Sequence, residues 1–208
     1  EMTLELPAGD FKAYLFDCDG TIVDSMPLHY QAWRAALRPY GCEFSEQLFY
    51  DWGGVSVPEV IARLNHIQRL QMPVAEVMAA KEEYFLRHAT ELRAIPEVLE
   101  QIEANYGRIP LGVVSGSPRE SVVGSLERLG LLERFETLVC AGEYAKGKPD
   151  PEAFLKAASE LGVAPEDCLV FEDADLGIQA ATAAGMASVK VDPRRPAARG
   201  SEAIHSAR

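Results

Sequence analysis

Short apolar runs recur along the chain and are separated by stretches in which apolar residues have helical spacing. Strands that alternate with helices form parallel sheets, because each connection must cross over the sheet. The near-continuous apolar character of the runs indicates a sheet that is covered on both faces. The sequence therefore predicts an α/β fold with a doubly wound, Rossmann-like parallel sheet. The predicted strands are 13–16, 111–114, 137–140, 168–171 and 187–191, and the later ones are separated by predicted helices over 119–129, 151–161 and 175–184.

The connection between the first two strands is far longer than the dozen or so residues that a parallel crossover needs. Apolar residues lie three and four positions apart in three parts of it, which indicates helices over 28–38, 58–71 and 74–90. The residues Ile95-Pro96-Glu97-Val98 then indicate the start of a helix that returns to the core. The same helices could also pack within a single α/β layer.

We predict that this connection is an inserted small helical cap domain. On this prediction the cap spans 25–92, and 1–24 together with 93–208 form the α/β core. The tail from Asp192 onward is polar and rich in proline. It fits a mobile end or a short terminal helix equally well.

Charge and composition restrict the class of partner. The chain has 208 residues, 48% of them apolar, and a net charge of -12. A nucleic-acid surface needs a basic footprint, so we expect no nucleic-acid partner. A small anionic substrate is compatible with this charge, because the local field and a bound metal outweigh the global charge.

The apolar runs, the first residues and the cysteines together indicate the cellular compartment of the protein. No apolar run reaches membrane-spanning length, and the first residues lack a signal peptide's charged and apolar regions. The cysteines are scattered in apolar or strand-like settings, so we expect buried free thiols: Cys18, Cys42, Cys140 and Cys168. The sequence thus predicts a cytoplasmic protein without a membrane partner.

Two carboxylates two positions apart follow the first strand. Asp17 and Asp19 project on the same face of the chain, so their charges repel each other. A divalent cation would relieve that repulsion, and hard cations prefer oxygen ligands. Cys18 lies between them and is expected to point the other way, into the core.

Acidic residues also follow the fourth strand. Glu172, Asp173 and Asp175 fall within four positions, which is costly without a cation. Acids at a helix N-terminus that complement the helix dipole would explain Asp173 or Asp175. That alternative explains poorly why acids recur at two strand ends.

The second and third strands are followed by residues suited to binding phosphate. Ser115, Gly116 and Ser117 form a hydroxyl-rich turn that opens a helix, and such N-termini bind phosphate. The spacing from Ser117 to Glu120 also fits a capping box. Lys148 could neutralise a transferring phosphoryl group, or it could be a solvated loop lysine. In a parallel sheet all these groups meet at one edge.

Four motifs in this order resemble the haloacid dehalogenase superfamily of phosphohydrolases. They read DCDGT, VVSGS, GKPDPE and FEDADLGIQAATAAGM, and they span nearly the whole chain. The helical insert after the first strand resembles the small cap of the β-phosphoglucomutase-like branch of that superfamily.

The resemblance implies a role for each motif residue. Asp17 would be the nucleophile that forms an aspartyl-phosphate, and Asp19 would be the general acid and base. The phosphoryl oxygens would be bound by Ser115, the backbone of Gly116 and Lys148.

The resemblance also implies Mg²⁺ as cofactor. Its ligands would be the Asp17 carboxylate, the backbone carbonyl of Asp19 and the Asp173 carboxylate. Glu172 would act through a metal-bound water.

Residues of the predicted cap and of the motifs indicate the type of reaction and the class of substrate. Mutases of this branch carry an arginine in a cap loop, and Val57 lies where that arginine would be. Valine cannot make a bidentate phosphate contact, which favours hydrolysis. Thr21 also resembles phosphatases more than mutases. The last motif looks most like sugar-phosphate phosphatases, including those that act on fructose 1-phosphate.

Four residues of the predicted cap are expected nearest a substrate. His29 lies one helical turn beyond Ser25, and Trp33 follows one turn later, either at the substrate or packed beneath His29. Gly54 belongs to a Gly-Gly pair that suggests opening and closing of the cap. Lys81 would meet sugar hydroxyls or be solvated.

The sequence as a whole predicts a Mg²⁺-dependent phosphatase of small phosphate esters, with sugar phosphates as the expected substrates. Two alternatives remain at this point, a β-phosphoglucomutase-like isomerase and a non-catalytic phospho-dependent binding or signalling module. We expect a monomer or a weak dimer.

Overall fold

The computed structural model describes residues 4–192, and the sheet in it has five strands that are all parallel to their neighbours. Their order is β3-β2-β1-β4-β5. The predicted doubly wound α/β fold is therefore confirmed, with strand ends within one residue of those expected. The strands are β1 Ala13–Phe16, β2 Leu111–Val114, β3 Thr137–Val139, β4 Cys168–Glu172 and β5 Ala187–Lys190.

The helices follow the predicted positions, with one addition. Helix α2 has six residues, which is too short to show an apolar period. Its signal is the N-cap Ser45, whose side chain accepts a hydrogen bond from the Leu48 N–H at 3.1 Å. The α-helices are α1 Met26–Leu37, α2 Glu46–Asp51, α3 Val57–Gln68, α4 Val74–His88, α5 Pro96–Asn105, α6 Arg119–Arg128, α7 Glu152–Leu161 and α8 Asp175–Ala183.

Alternate residues of β1 are buried on opposite faces of the sheet. Tyr14 and Phe16 pack in a cluster that includes residues of α5 and α6. Ala13 and Leu15 pack in a second cluster with residues of α7 and α8. Both faces of the central strand are thus covered, which explains why its sequence is apolar throughout.

The register brings the carboxyl ends of three strands together. Phe16 of β1 pairs with Val113 of β2 on one side and with Phe171 of β4 on the other. The Asp17 N–H continues the β4 ladder with a 3.0 Å hydrogen bond to the Phe171 carbonyl. The residues that follow these strands therefore meet at one edge, as expected for an open parallel sheet.

Helices α1 to α4 have a hydrophobic cluster of their own. Trp33 and Leu37 of α1 are buried there with Ile61 of α3 and Val77 of α4. The chain enters and leaves this helical segment along one path, because the Asp24 N–H donates to the Arg93 carbonyl at 2.9 Å. These features support the predicted cap boundaries, which stay a prediction.

Three of the cysteines are buried as expected, whereas Cys42 is only half-buried. The expectation for Cys42 was wrong because it lies in the loop between α1 and α2, where its side chain is only partly covered. Within residues 4–192, no helix is long and apolar enough to cross a membrane. The predicted tail beyond Asp192 lies outside the described residues.

Replacement of Phe16 by alanine should test the central packing of the sheet. Phe16 is fully buried and stacks on Phe171 with the ring centroids 4.6 Å apart. We expect Phe16→Ala to lower the free energy of unfolding by about 3–5 kcal/mol in urea titrations. The control Leu155→Ala removes a side chain that is 40% exposed and should change it by about 0.5 kcal/mol or less. Equal losses in both variants would contradict this packing.

Candidate active site

Lys148 joins two of the carboxylates at the sheet edge. Its Nζ lies 2.9 Å from Asp17 Oδ1, forms a hydrogen bond with Glu172, and donates to the Val114 carbonyl at 3.0 Å. Burial alone would lower the pKa of Lys148, but the attraction of Asp17 and Glu172 outweighs it and raises that pKa. The predicted alternative of a solvated loop lysine is therefore wrong, since only 8% of this side chain is exposed.

Three buried carboxylates form a cluster that could hold a cation. Oxygens of Asp17, Glu172 and Asp173 all lie within 4.8 Å of one another. Burial, followed by the charge of Asp17, raises the pKa of Glu172 to about 7 despite Lys148. Burial and the charges of Asp17 and Glu172 also hold the pKa of Asp173 well above its usual range. One lysine thus leaves an excess of negative charge, and this donor set fits a hard divalent cation.

Asp19 lies beside this cluster but has a different environment. Ser25 Oγ donates to its Oδ1 at 2.7 Å, and Ser117 Oγ donates to its Oδ2 at 2.8 Å. His29 Nε2 lies 2.9 Å from Oδ1. Burial would raise the pKa of Asp19, but the hydrogen bonds from His29, Ser25 and Ser117 lower it below its ordinary value. The surroundings of Asp19 therefore favour its carboxylate form.

His29 connects Asp19 to helix α4. Lys81 Nζ lies 3.1 Å from His29 Nδ1, and the His29 ring stacks on Phe85 at 4.2 Å. An ammonium group can only donate, so Nδ1 accepts and the ring proton is on Nε2, where it donates to Asp19. Lys81 therefore fixes the tautomer that hydrogen-bonds the carboxylate.

Lys81 differs from the expectation of a solvated side chain. It is only 6% exposed, its Nζ lies 5.4 Å from the centroid of the Trp33 ring, and burial lowers its pKa. The helical pattern of α4 could not show this, because its partners His29 and Trp33 belong to α1.

The serine turn after β2 is built differently from a capping box. The side chain of Ser117 donates to Asp19 instead of capping α6, and no side chain caps that helix. The Ser117 N–H donates to Ser115 Oγ at 3.0 Å, and Tyr144 hydroxyl donates to the Ser115 carbonyl at 3.0 Å. The capping alternative was therefore wrong, and the contact of Ser117 with Asp19 was not predicted by its place in the hydroxyl-rich turn.

A single cavity of about 780 Å³ joins these groups to the helical segment. Its walls include the acids Asp17 and Asp19 together with side chains of α1, α3 and α4. Gly54 contributes to the contact between the two sides, because an added Cβ there would lie 3.2 Å from Leu176 Cβ. All the predicted site residues line it: Asp17, Asp19, His29, Trp33, Gly54, Lys81, Ser115, Gly116, Lys148, Glu172 and Asp173.

A family profile described as haloacid dehalogenase-like hydrolase matches residues 14–191. The chain belongs to this family. The predicted resemblance is confirmed.

Relatives within the haloacid dehalogenase-like hydrolases include phosphatases and a mutase. Fructose-1-phosphate phosphatase YqaB of Escherichia coli is 35% identical over 87% of this chain and 96% of its own length. Beta-phosphoglucomutase of Bacillus subtilis is 31% identical over 89% of this chain and 85% of its own. The crystal structure of beta-phosphoglucomutase from Clostridium difficile superimposes with a TM-score of 0.77 at 26% identity, over 86% of this chain and 83% of that one.

Two hydroxyl residues of the site were not among those predicted as ligands. Thr21 Oγ1 donates to Asp173 Oδ1 at 3.1 Å, and Ser25 donates to Asp19. Both lie within ten residues of Asp17 in this hydrolase sequence, but the direction of a hydroxyl cannot be inferred from spacing alone. They supply hydrogen bonds to carboxylates that would otherwise be buried with fewer partners.

Gly177 of α8 gives Glu172 its space. A Cβ at this position would lie 2.2 Å from Glu172 Oε1, although the backbone there is helical and would accept alanine. The absence of a side chain at Gly177, and not its flexibility, is what the site requires.

Replacement of Gly177 by alanine should therefore destabilise the protein. Alanine favours a helix over glycine by about 1 kcal/mol, but the clash with Glu172 should produce a net loss of about 1–3 kcal/mol. Gly124→Ala in α6 is the matched control, because a Cβ there has no neighbour closer than 4.0 Å. Urea unfolding should show a gain for Gly124→Ala and a loss for Gly177→Ala. A gain in both variants would contradict the close approach of Glu172.

Proposed function

We propose that the protein is a Mg²⁺-dependent phosphatase that hydrolyses small sugar phosphates through an aspartyl-phosphate on Asp17. The observation that supports this most strongly is the pairing of two acids with opposite environments. Asp17 contacts Lys148 inside an acidic cluster, whereas Asp19 is surrounded by hydrogen-bond donors. Acids whose surroundings differ in this way are suited to separate roles in catalysis.

In the first step a carboxylate oxygen of Asp17 attacks phosphorus, and the bond from phosphorus to the leaving oxygen breaks. Asp19 takes part in this step in its protonated form, which its surroundings disfavour, and gives its proton to that oxygen. The donors around Asp19 stabilise the carboxylate that results, so they favour this proton transfer. Ser115, the Gly116 backbone and Lys148 would bind the phosphoryl oxygens, since all three line the cavity beside Asp17.

In the second step Asp19 takes a proton from a water molecule. The oxygen of that water attacks phosphorus, and the bond to Asp17 breaks, which frees inorganic phosphate and restores both acids. The groups that hold Asp19 in place are the same in both steps. Its position between Ser25, Ser117 and His29 therefore orients the proton donor and then the base.

The residues present fit Mg²⁺. We assign it to the Asp17 and Asp173 carboxylates, the backbone carbonyl of Asp19, and Glu172 acting through water. Bound there, the cation would neutralise charge on the acids and on the phosphoryl group. The excess of carboxylates over Lys148 supports this assignment.

A phosphatase and a mutase differ in the molecule that accepts the phosphoryl group from Asp17. The beta-phosphoglucomutase relative supports a mutase as the second candidate. Val57 lines the cavity. The resemblance to mutases implies an arginine at this position, and valine offers no donor to a second phosphate. This favours water as the acceptor. The cap role of 25–92, a monomeric or weakly dimeric state and a cytoplasmic location stay predictions.

Replacement of the proposed nucleophile should abolish turnover. Asp17→Asn keeps the shape of the side chain but removes the attacking charge, so we expect at least about a thousandfold loss of kcat on p-nitrophenyl phosphate and fructose 1-phosphate with Mg²⁺. The control Asp10→Asn alters an exposed acid outside the cavity and should leave kcat unchanged. Chelation of Mg²⁺ should reproduce the loss in the wild-type protein.

Appreciable turnover by Asp17→Asn would contradict the mechanism. Sustained isomerisation of β-glucose 1-phosphate with a bisphosphate primer, without phosphate release, would select the mutase instead. Failure to hydrolyse a broad panel of phosphate esters with Mg²⁺ would favour a non-catalytic binding module.

Lys81 should affect catalysis without stabilising the fold. Lys81→Met removes the donor to His29 Nδ1, so His29 is no longer restricted to the tautomer that donates to Asp19, and we expect kcat to fall about 10- to 100-fold. The loss of a buried charge should leave the melting temperature unchanged or raise it. The control Lys156→Met changes an exposed lysine paired with Glu160 and should retain kcat. A fall in melting temperature together with an unchanged kcat would show a purely structural lysine.

A further inference from the structure

The cations along the cavity wall are already paired with other groups. Among the described residues that line it, three carry a Lys or Arg charge. Lys148 contacts Asp17 and Glu172, and Lys81 contacts His29. Arg63 forms an ion pair with Glu59, with its Nε 3.0 Å from Glu59 Oε1. The first two belong to the catalytic groups described above, so Arg63 and Glu59 are the charges left to meet the rest of a substrate.

The Glu59–Arg63 pair belongs to α3 of the helical segment, whereas the groups proposed to bind phosphate lie at the edge of the sheet. Both side chains are partly exposed, Arg63 by 42% and Glu59 by 53%, and both line the cavity. Arg63 also lies over the Trp52 ring, with its Cζ 5.4 Å from the ring centroid. The ring and the carboxylate hold the guanidinium in one orientation, although water and substrate can still reach it.

The pair is suited to a neutral group that both donates and accepts hydrogen bonds. A guanidinium carries five N–H donors, and a carboxylate carries several acceptor sites, so together they can bind neighbouring hydroxyls. A phosphate in the same place would meet the negative charge of Glu59, which already neutralises Arg63. The two charges together therefore favour hydroxyls over a second anion.

We propose that the Glu59–Arg63 pair is the specificity determinant that selects monophosphates of polyhydroxylated sugars and rejects bisphosphates. This inference rests on the proposed phosphatase function and narrows its substrate class. It also gives a physical role to the end of the cavity that lies beyond the reacting phosphate. Arg63 would donate to sugar hydroxyls, and Glu59 would accept from them and repel a distal phosphate.

The positions of Glu59 and Arg63 would also suit a purely structural role, the stabilisation of helix α3. Glu59 lies in the first turn of α3, where it complements the helix dipole, and pairs four residues apart stabilise helices slightly. Helix α4 carries a pair of the same type, Glu83 and Arg87, which is exposed and does not line the cavity. Variants of the α4 pair therefore control for the loss of an exposed ion pair between residues four apart on a helix.

The test compares kcat/KM for hexose monophosphates and bisphosphates at fixed free Mg²⁺. The substrate pairs are fructose 1-phosphate with fructose 1,6-bisphosphate, and glucose 6-phosphate with glucose 1,6-bisphosphate. The wild-type protein should prefer the monophosphate in at least one pair by about tenfold or more. Glu59→Gln, which keeps the acceptor oxygen but removes the charge, should reduce that preference about three- to tenfold. Glu83→Gln should not change it.

Arg63→Met is the second variant. It removes the donors and should lower kcat/KM for the preferred monophosphate by about 5- to 30-fold, mainly through KM, whereas Arg87→Met should not. A wild-type protein without preference for monophosphates would overturn the inference. An unchanged preference in Glu59→Gln together with an unchanged KM in Arg63→Met would overturn it as well.

The two proposals fail in different ways. If the wild-type protein shows no Asp17-dependent hydrolysis of p-nitrophenyl phosphate, the proposed function fails, and this inference fails with it. If p-nitrophenyl phosphate is hydrolysed but the preference and its response to Glu59→Gln are absent, only the role of the Glu59–Arg63 pair is wrong.

Discussion

The contact of Lys148 with Asp17 and Glu172 is the interaction on which the rest of the site depends. Two carboxylates and an ammonium group are buried together at the carboxyl edge of the sheet, where desolvation is costly unless each charge has a partner. The parallel register of β1, β2 and β4 brings their ends to one place. Gly177 of α8 leaves room for the Glu172 side chain, so the contact of Glu172 with Lys148 depends on how this helix packs against the sheet.

Asp19 extends this arrangement toward the helical segment. Its donors come from two parts of the chain, Ser25 and His29 at the start of α1 and Ser117 in the turn after β2. Lys81 of α4 then holds His29 in the tautomer that donates to Asp19. The helical segment thus contributes to the proton-transferring group as well as to the wall of the cavity. This links the geometry of α1 and α4 to catalysis in the proposed mechanism.

The sequence predicted the sheet and the convergence of its strand ends, because apolar runs and the polar residues after them follow directly from parallel β topology. It did not predict the contacts of Lys81 or Ser117, since their partners lie on distant parts of the chain. The spacing of Ser117 and Glu120 suited a capping box equally well. Helix α2 was missed because six residues are too few to show a helical period.

The buried acids Asp17, Glu172 and Asp173 outnumber the one ammonium group beside them, that of Lys148, and this donor set fits a divalent cation. The most direct measurement is the melting temperature as a function of Mg²⁺ at constant ionic strength. We predict a saturable rise, corresponding to about 2.7 kcal/mol at a hundred times the Kd, that Asp173→Asn abolishes. An identical melting temperature in chelator and in saturating Mg²⁺ would contradict the account.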